Sequence, residues 1–285
     1  MRETTYINYN GKIISDHQNI ISADNRSFRY GEGCFETIKV INGKIVLHHL
    51  HTERLFTTLG LLQFKISKHF TPAYIESEIL QLVAKNKHNK AARVRLTLHR
   101  GNGGLYDVLT HAPQFIIQSW ELAPEKSMFN ENGLDIDFFA DGRKAVDKFS
   151  SVKSNNYLVY AMAALWAKKH KLNDAVVLNT NDTVADTTIA NLFIVDKGVI
   201  KTPSLQQGCV QGVMRHYLIQ QLKNNGYTVQ ETNITTNDVL QAGEVFLTNA
   251  IVGMRWVKQC GSSNYTNSVS KNLYHQFITP LFKQQ

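Results

Sequence analysis

One lysine, Lys153, lies in the short polar stretch Ser150-Ser151-Val152-Lys153-Ser154-Asn155-Asn156, and an almost wholly apolar run from Tyr157 to Ala167 follows that stretch. Such a run reads as a buried helix. A lysine at that junction is held beside the core, where burial disfavours the charged form of an amine. A neutral amine can attack an aldehyde to form a Schiff base. Most lysines are plain surface residues, so the weight of this reading rests on what else the chain carries.

Other residues could bind anions. Arg54 lies in a stretch of helical periodicity with Leu50, Leu55 and Leu59, where by itself it reads as a solvated helix charge. The run Ala92 to Arg100 alternates strictly, burying Val94, Leu96 and Leu98 and turning Arg93, Arg95, Thr97 and His99 to the other face. That face meets either water or a polar cavity. Gly212, just before a helical pattern carrying Val213, Tyr217, Leu218 and Leu222, would leave backbone N–H groups pointing outward as an anion site. The loop Gly101-Asn102-Gly103-Gly104 is not followed by a helix and so is no dinucleotide fingerprint. His48, His49 and His51 lack a carboxylate or cysteine set at ligand spacing, so no metal is expected.

Composition narrows the field. The 285 residues suffice for two domains, and 43% hydrophobic with 19% charged residues describes a soluble globular protein. No apolar run approaches the ~18 residues of a membrane span, and Met1 to Tyr6 has no signal-peptide core. A cytoplasmic location without membrane association is the expectation. Cys34, Cys209 and Cys260 are far apart and odd in number, which predicts reduced thiols. The net charge of +8 is spread along the chain without a basic stripe interleaved with aromatic residues, so a nucleic-acid partner is not expected. The excess suits a small anionic substrate.

The elements that must position these residues follow from turn signals and periodicity. Asn10-Gly11 and Asn42-Gly43 predict hairpins, and Thr71-Pro72 opens an amphipathic helix with Ile75, Ile79, Leu82 and Val83 inward. A strand over Gln114–Trp120 leads into a polar connector at 121–133, and a strand over Leu134–Ala140 opens the second half. Strands follow at Asp174–Asn179 and Glu244–Thr248, and a last helix carries Val269, Leu273 and Phe277. The fold class expected is α+β, two domains each built on a sheet with packed helices: 1–120, and 134–285 carrying Lys153.

Taken together and in order from Asp24 to Val257, these stretches resemble the fold-type IV pyridoxal-phosphate (PLP) enzymes, the group of branched-chain aminotransferases, D-amino acid aminotransferases and aminodeoxychorismate lyases. The resemblance implies that Lys153 holds PLP and later moves the substrate proton. It implies that Arg54, in His-Leu-His-Thr-Glu-Arg-Leu, grips the cofactor phosphate, for which a guanidinium fork is suited. Val213 and Met214 would add backbone N–H groups, and Asn249 and Ala250 a second phosphate loop. Tyr157 would contact the ring's phenolic oxygen. Asp186, five positions before Asn191-Leu192-Phe193, stands where the family usually has glutamate, and would hold the pyridine nitrogen.

Gly-Glu-Gly-Cys-Phe-Glu-Thr at 31–37, Gly-Val-Met-Arg at 212–215 and Leu-Thr-Asn-Ala at 247–250 look more like aminodeoxychorismate lyase than branched-chain aminotransferase. That resemblance implies a folate-biosynthetic lyase making 4-aminobenzoate and pyruvate, with Thr37 helping to protonate the departing group and Tyr30, Arg93, Arg95 and Arg100 as candidates for the substrate. A transaminase of branched-chain or D-amino acids, and a PLP-binding protein impaired by its aspartate, are the alternatives. A homodimer is implied by the resemblance alone.

Overall fold

The computed structural model describes residues 5–124 and 128–283. These divide into two compact units: one takes residues 5–124 with Lys153–Asn156, the other residues 128–152 and 157–283. The short segment holding Lys153 therefore groups with the first half, where the sequence had placed it in the second. Of the expected connector, residues 125–127 lie outside the described residues. Asn130 within it is tied down: its amide donates to the Trp256 carbonyl at 3.0 Å and accepts from the Trp256 N–H at 3.0 Å.

The first unit is built on a six-stranded sheet of β1 (Tyr6–Tyr9), β2 (Lys12–Ser15), β3 (Cys34–Ile41), β4 (Lys44–Ile45), β5 (Ala91–His99) and β6 (Gln114–Glu121), in the order β2-β1-β6-β5-β3-β4. Every pairing is antiparallel. Both Asn-Gly turns have two residues at positive φ, as a two-residue hairpin turn requires. After a short α1 (Arg26–Tyr30), α2 (His48–Leu61) and α3 (Pro72–Lys85) pack on one face of the sheet. Thr71 caps α3, its Oγ1 accepting from the Tyr74 N–H at 3.2 Å. The side chains of Ile38, Val94, Leu96 and Ile117 fill the space under these helices together with Leu59, Ile79 and Leu82, all buried.

The second unit carries a mixed sheet of β7 (Leu134–Lys144), β8 (Asp174–Asn179), β9 (Val184–Thr187), β10 (Asn191–Asp196), β11 (Val199–Pro203), β12 (Val229–Thr232), β13 (Glu244–Asn249), β14 (Gly253–Cys260) and β15 (Ser263–Asn264). The order is β12-β11-β10-β13-β14-β7-β8-β9, with β15 beside β14. β8 is buried along its whole length, which is why it reads as a continuous apolar run.

The helix after Lys153, α4 (Leu158–Lys169), corrects the expectation of a buried helix. Only Tyr160, Ala163 and Ala167 are buried against β7 and β8, while Leu158 is 69% and Leu165 60% exposed. The segment is apolar all round, but one sheet can cover only one stripe of it. The last helix is also broken: a π turn at Tyr274–Ile278 separates Ser268–Leu273 from Thr279–Lys283. Pro280 has no N–H to give the carbonyl four residues back. No helix among the described residues is long and apolar enough to cross a membrane.

Candidate active site

In the first unit Lys153 is placed by backbone pairing. Residues 153–155 run antiparallel to the start of β3, with the Phe35 N–H donating to the Lys153 carbonyl and the Asn155 N–H donating to the Gly33 carbonyl, each at 3.0 Å. Gly33 has φ +128°, and a Cβ there would lie 2.2 Å from the Leu98 carbonyl oxygen. It would also lie 2.6 Å from Asn155 Nδ2, so only glycine lets the lysine segment come this close. The pairing puts Lys153 on the same face as Phe35, and its Nζ stands 4.5 Å from that ring's centroid. The Arg95 guanidinium lies over the same ring at 3.8 Å, and its Nε donates to Thr97 Oγ1 at 3.2 Å. Thr37 faces Arg95 across β3 and β5. Lysine, hydroxyl and guanidinium thus share one sheet face.

The remaining arginines have other surroundings. Arg93 is exposed, with its guanidinium 5.2 Å from the Trp120 ring centroid. Arg100 is buried: it donates to Glu32 and to the Leu62 carbonyl, and stacks over Phe64 at 4.3 Å. Tyr30 is 38% exposed, with Arg26 and Arg29 over its ring at 5.5 and 5.3 Å.

Arg54 lies under the opposite, helix-packed face of the sheet. Its Nε donates to Glu36 Oε1 at 2.8 Å and its Nη2 to Glu36 Oε2, which also meets His51 Nδ1 at 2.7 Å. All three side chains are buried. Burial alone would raise the Glu36 carboxyl, but Arg54 and then His51 outweigh it and hold the group at about 2. Burial pushes the His51 imidazole below its ordinary range against the opposing pull of Glu36. His51 Nε2 has no hydrogen-bond partner among the described residues. Glu36 and His51 were missed in the sequence. The available signals were the three-residue spacing of His51 and Arg54 along α2 and the inward phase of Glu36 in an otherwise apolar strand.

In the second unit Asp186, on β9, is 2% exposed and collects four donors. Its Oδ2 accepts from Tyr160 Oη at 2.6 Å, from the Val210 N–H at 2.9 Å and from Lys144 Nζ at 3.1 Å, while Oδ1 accepts from Asn191 Nδ2 at 2.8 Å. Burial, and then the Asp186 charge, push the Tyr160 phenol well above its ordinary value, so it stays a proton donor. Tyr157 stacks on Tyr160 with centroids 4.5 Å apart, and its hydroxyl donates to the Thr188 carbonyl at 3.0 Å. Asp174 fixes that turn, accepting from the Thr188 N–H at 2.9 Å and from both the Thr187 and Thr188 hydroxyls. Tyr160 could have been suspected from its spacing to Tyr157. Lys144 and Asn191 gave no signal.

Beside this carboxylate α5 (Val213–Asn224) begins. Its N-cap is Gly212, which offers no side chain to the first turn, so that turn's N–H groups have no acceptor within the helix. A Cβ on Gly212 would fall 1.9 Å from Asn191 Oδ1. Val213 and Met214 are buried at this end. Thr248, opposite Asn191 in the β10–β13 register, is 1% exposed, and its hydroxyl has no partner among the described residues. Asn249 Oδ1 accepts the N–H groups of Ile251 and Val252, each at 3.0 Å, and so folds the chain around Ala250. The three cysteines are free and buried, and burial pushes the Cys34 and Cys209 thiols up to about 12, which removes them as nucleophiles.

Comparison with known proteins gives a family and several relatives. The family described as amino-transferase class IV matches residues 33–260. An aminodeoxychorismate lyase of Vibrio harveyi is 29% identical over 83% of this chain and 86% of its own. A provisionally named branched-chain-amino-acid aminotransferase of Methanocaldococcus jannaschii is also 29% identical, over 84% of this chain and 82% of its own. A branched-chain aminotransferase of Thermoproteus uzoniensis, solved with norvaline, superposes with a TM-score of 0.89 at 18% identity, over 99% of this chain and 96% of that one. That likeness shows the fold.

Proposed function

We propose that this chain, which belongs to the amino-transferase class IV family, is an aminodeoxychorismate lyase that uses PLP to convert 4-amino-4-deoxychorismate into 4-aminobenzoate and pyruvate. The observation that carries the reading is the face around Phe35, where Lys153 and Arg95 flank one ring and Thr37 stands opposite Arg95. A base, a hydroxyl and an anion-binding fork are what an elimination from a carboxylate-bearing ring needs. The identity to the Vibrio lyase supports it.

The residues present fit the cofactor. The uncapped end of α5 and the unpartnered Thr248 hydroxyl suit a phosphate, as do the turn at Asn249-Ala250 and the Val213 and Met214 N–H groups. Arg54, which the resemblance would also give to the phosphate, is held by Glu36 and His51 under the helix-packed face of its own sheet. Asp186 is assigned to the ring nitrogen and Tyr157 to the ring's oxygen, to which its hydroxyl would donate in place of the Thr188 carbonyl. When bound, PLP supplies an aldehyde that captures amines and a ring that withdraws electrons.

Lys153 would hold the cofactor, and its amine would remove the proton from the substrate ring carbon bearing nitrogen. The C–O bond to the enolpyruvyl group then breaks, with the bonding pair leaving on oxygen. Thr37 hands a proton to that group, which becomes pyruvate, and the ring left behind is aromatic. Arg95 binds a substrate carboxylate in a charge-assisted pair. Arg93 and Arg100, occupied with Trp120 and Glu32, take no part in this assignment, and Tyr30 borders it only by sequence. The chain acts as a homodimer: the exposed Leu158, Met162 and Leu165 on α4 supply apolar surface for a second copy.

The test is release of 4-aminobenzoate and pyruvate from enzymatically generated aminodeoxychorismate by PLP-loaded protein, with Lys153→Ala as control. Rapid release that the control abolishes is expected. Absence of release from protein that still binds PLP would sink the lyase. The equal identity to the Methanocaldococcus relative favours amino transfer as the second reading. It predicts pyridoxamine phosphate formation from branched-chain or D-amino acids instead.

A further inference from the structure

The Asp186 site contains a charge that the assignment above does not use. We infer that Lys144 is a positioning residue that attenuates Asp186, so that this chain holds the cofactor's ring nitrogen less firmly protonated than a lone carboxylate would; the inference rests on assigning Asp186 to that nitrogen.

Lys144 is the last residue of β7, and the strand end is fixed on both sides. Its carbonyl accepts the Thr180 N–H at 3.0 Å, and the neighbouring Arg143 is bonded to Asp182 at 2.7 Å. From there its ammonium reaches Asp186 Oδ2 at 3.1 Å, with side-chain exposures of 11% and 3% for the pair, and lies 5.2 Å from the Tyr160 ring centroid. Water screens little at that depth, so the ammonium acts strongly on the carboxylate.

A carboxylate offers about four lone-pair directions. Oδ2 already meets Lys144, Tyr160 and the Val210 N–H, and Oδ1 meets Asn191. Among the described residues only Asn191 donates to Oδ1, which leaves one of its lone-pair directions for a ring N–H. The charge that would hold its proton is already answered by the ammonium. An opposite charge stabilises a protonated base only to the extent that it is not itself compensated.

Amino transfer depends on the ring to withdraw electrons, with no other driving force at the carbon that loses its proton. Elimination from aminodeoxychorismate ends in an aromatic ring and needs less withdrawal. A lysine-paired aspartate therefore suits the lyase better than the transaminase.

The test reads the ring nitrogen directly. The holoprotein is prepared with PLP carrying ¹⁵N in the ring, and the nitrogen resonance is followed by NMR against pH in the wild type, Lys144→Gln, Lys144→Arg and Asp186→Asn. Glutamine keeps a donor for Oδ2 and removes the charge, so the ring in Lys144→Gln should hold its proton to a pH higher by about one to three units. Arginine should restore wild-type behaviour. Identical titrations in Lys144→Gln and wild type would overturn the inference, provided that Asp186→Asn shifts the ring. An unshifted ring in Asp186→Asn would instead remove the assignment of Asp186 itself. The wild type also decides alone: a ring nitrogen that stays protonated over the whole pH range in which the protein is folded overturns the inference, even if the glutamine variant does not fold.

Discussion

Replacing Glu36 with glutamine probes the buried triad that orients Arg54. The Glu36 carboxyl is held at about 2 against an ordinary 4.5 because Arg54 and His51 outweigh the cost of burial. At about 1.4 kcal/mol per pH unit the difference amounts to about 3 kcal/mol of stability. In the unfolded chain the carboxyl takes up its proton near 4.5, whereas the folded protein keeps it ionised until about 2. The contribution is therefore complete above about pH 5 and lost as pH falls from there towards 2. Glutamine retains a carbonyl for one donor but leaves the Arg54 guanidinium buried without its counter-charge, so a loss of roughly 3 kcal/mol is expected at pH 7. Urea unfolding of wild type and variant at pH 7, 5 and 4 measures this. The variant should show a flatter acid limb, and adding Arg54→Met should recover much of the loss, because the pair is coupled. A cost below about 1 kcal/mol at pH 7, or an acid limb as steep as that of wild type, would refute the account.

Further perturbations address the second unit. In Gly212→Ala the new Cβ displaces Asn191, 1.9 Å away, so the variant should lose PLP retention in an absorbance titration while remaining folded; unchanged retention would show that Asn191 has room to move. Thr248→Val removes a hydroxyl with no partner to lose, so stability of the cofactor-free protein should be unchanged while PLP dissociates about tenfold more readily; equal dissociation removes Thr248 from the phosphate site. Asp186→Glu forces an extra methylene into a site with four donors already matched, costing about 1–3 kcal/mol in thermal unfolding and slowing pyruvate release. Faster release would mean that the aspartate is a handicap.

Much of the fold was legible because its signals are local. Asn10-Gly11 and Asn42-Gly43 need no partner to declare a turn, and the alternation of β5 gives its faces directly: Val94, Leu96 and Leu98 lie under the helices and Thr97 and Arg95 on the other side. The helix after Lys153 misled for the complementary reason. Composition reports how apolar a segment is, but burial depends on how many surfaces are available to cover it. Leu158 and Leu165 belong to the same apolar run as the buried Ala163 and differ only in which side of α4 meets β7 and β8.

The candidate site divides along the same line. The face of Arg95 could be read from its strand. That its guanidinium stacks on Phe35 beside Lys153 could not, because the pairing of residues 153–155 with β3 spans more than a hundred residues and leaves no periodic trace. Ionic partners are harder still. Lys144 sits 42 positions before Asp186 and lies beyond the strand expected over Leu134–Ala140; Glu36 lies 18 before Arg54 in a strand whose other residues gave no reason to single it out. Buried charges need partners, since desolvation of an unpaired ion costs more than the fold can spare. An inward-phased Glu36, or an acidic Asp186 in an apolar strand, therefore announces that a cation is nearby without saying which. Three-dimensional placement resolves that ambiguity, and the identity of the cation decides whether the carboxylate acts as an orienting strut, as for Arg54, or as a charge held in check, as by Lys144.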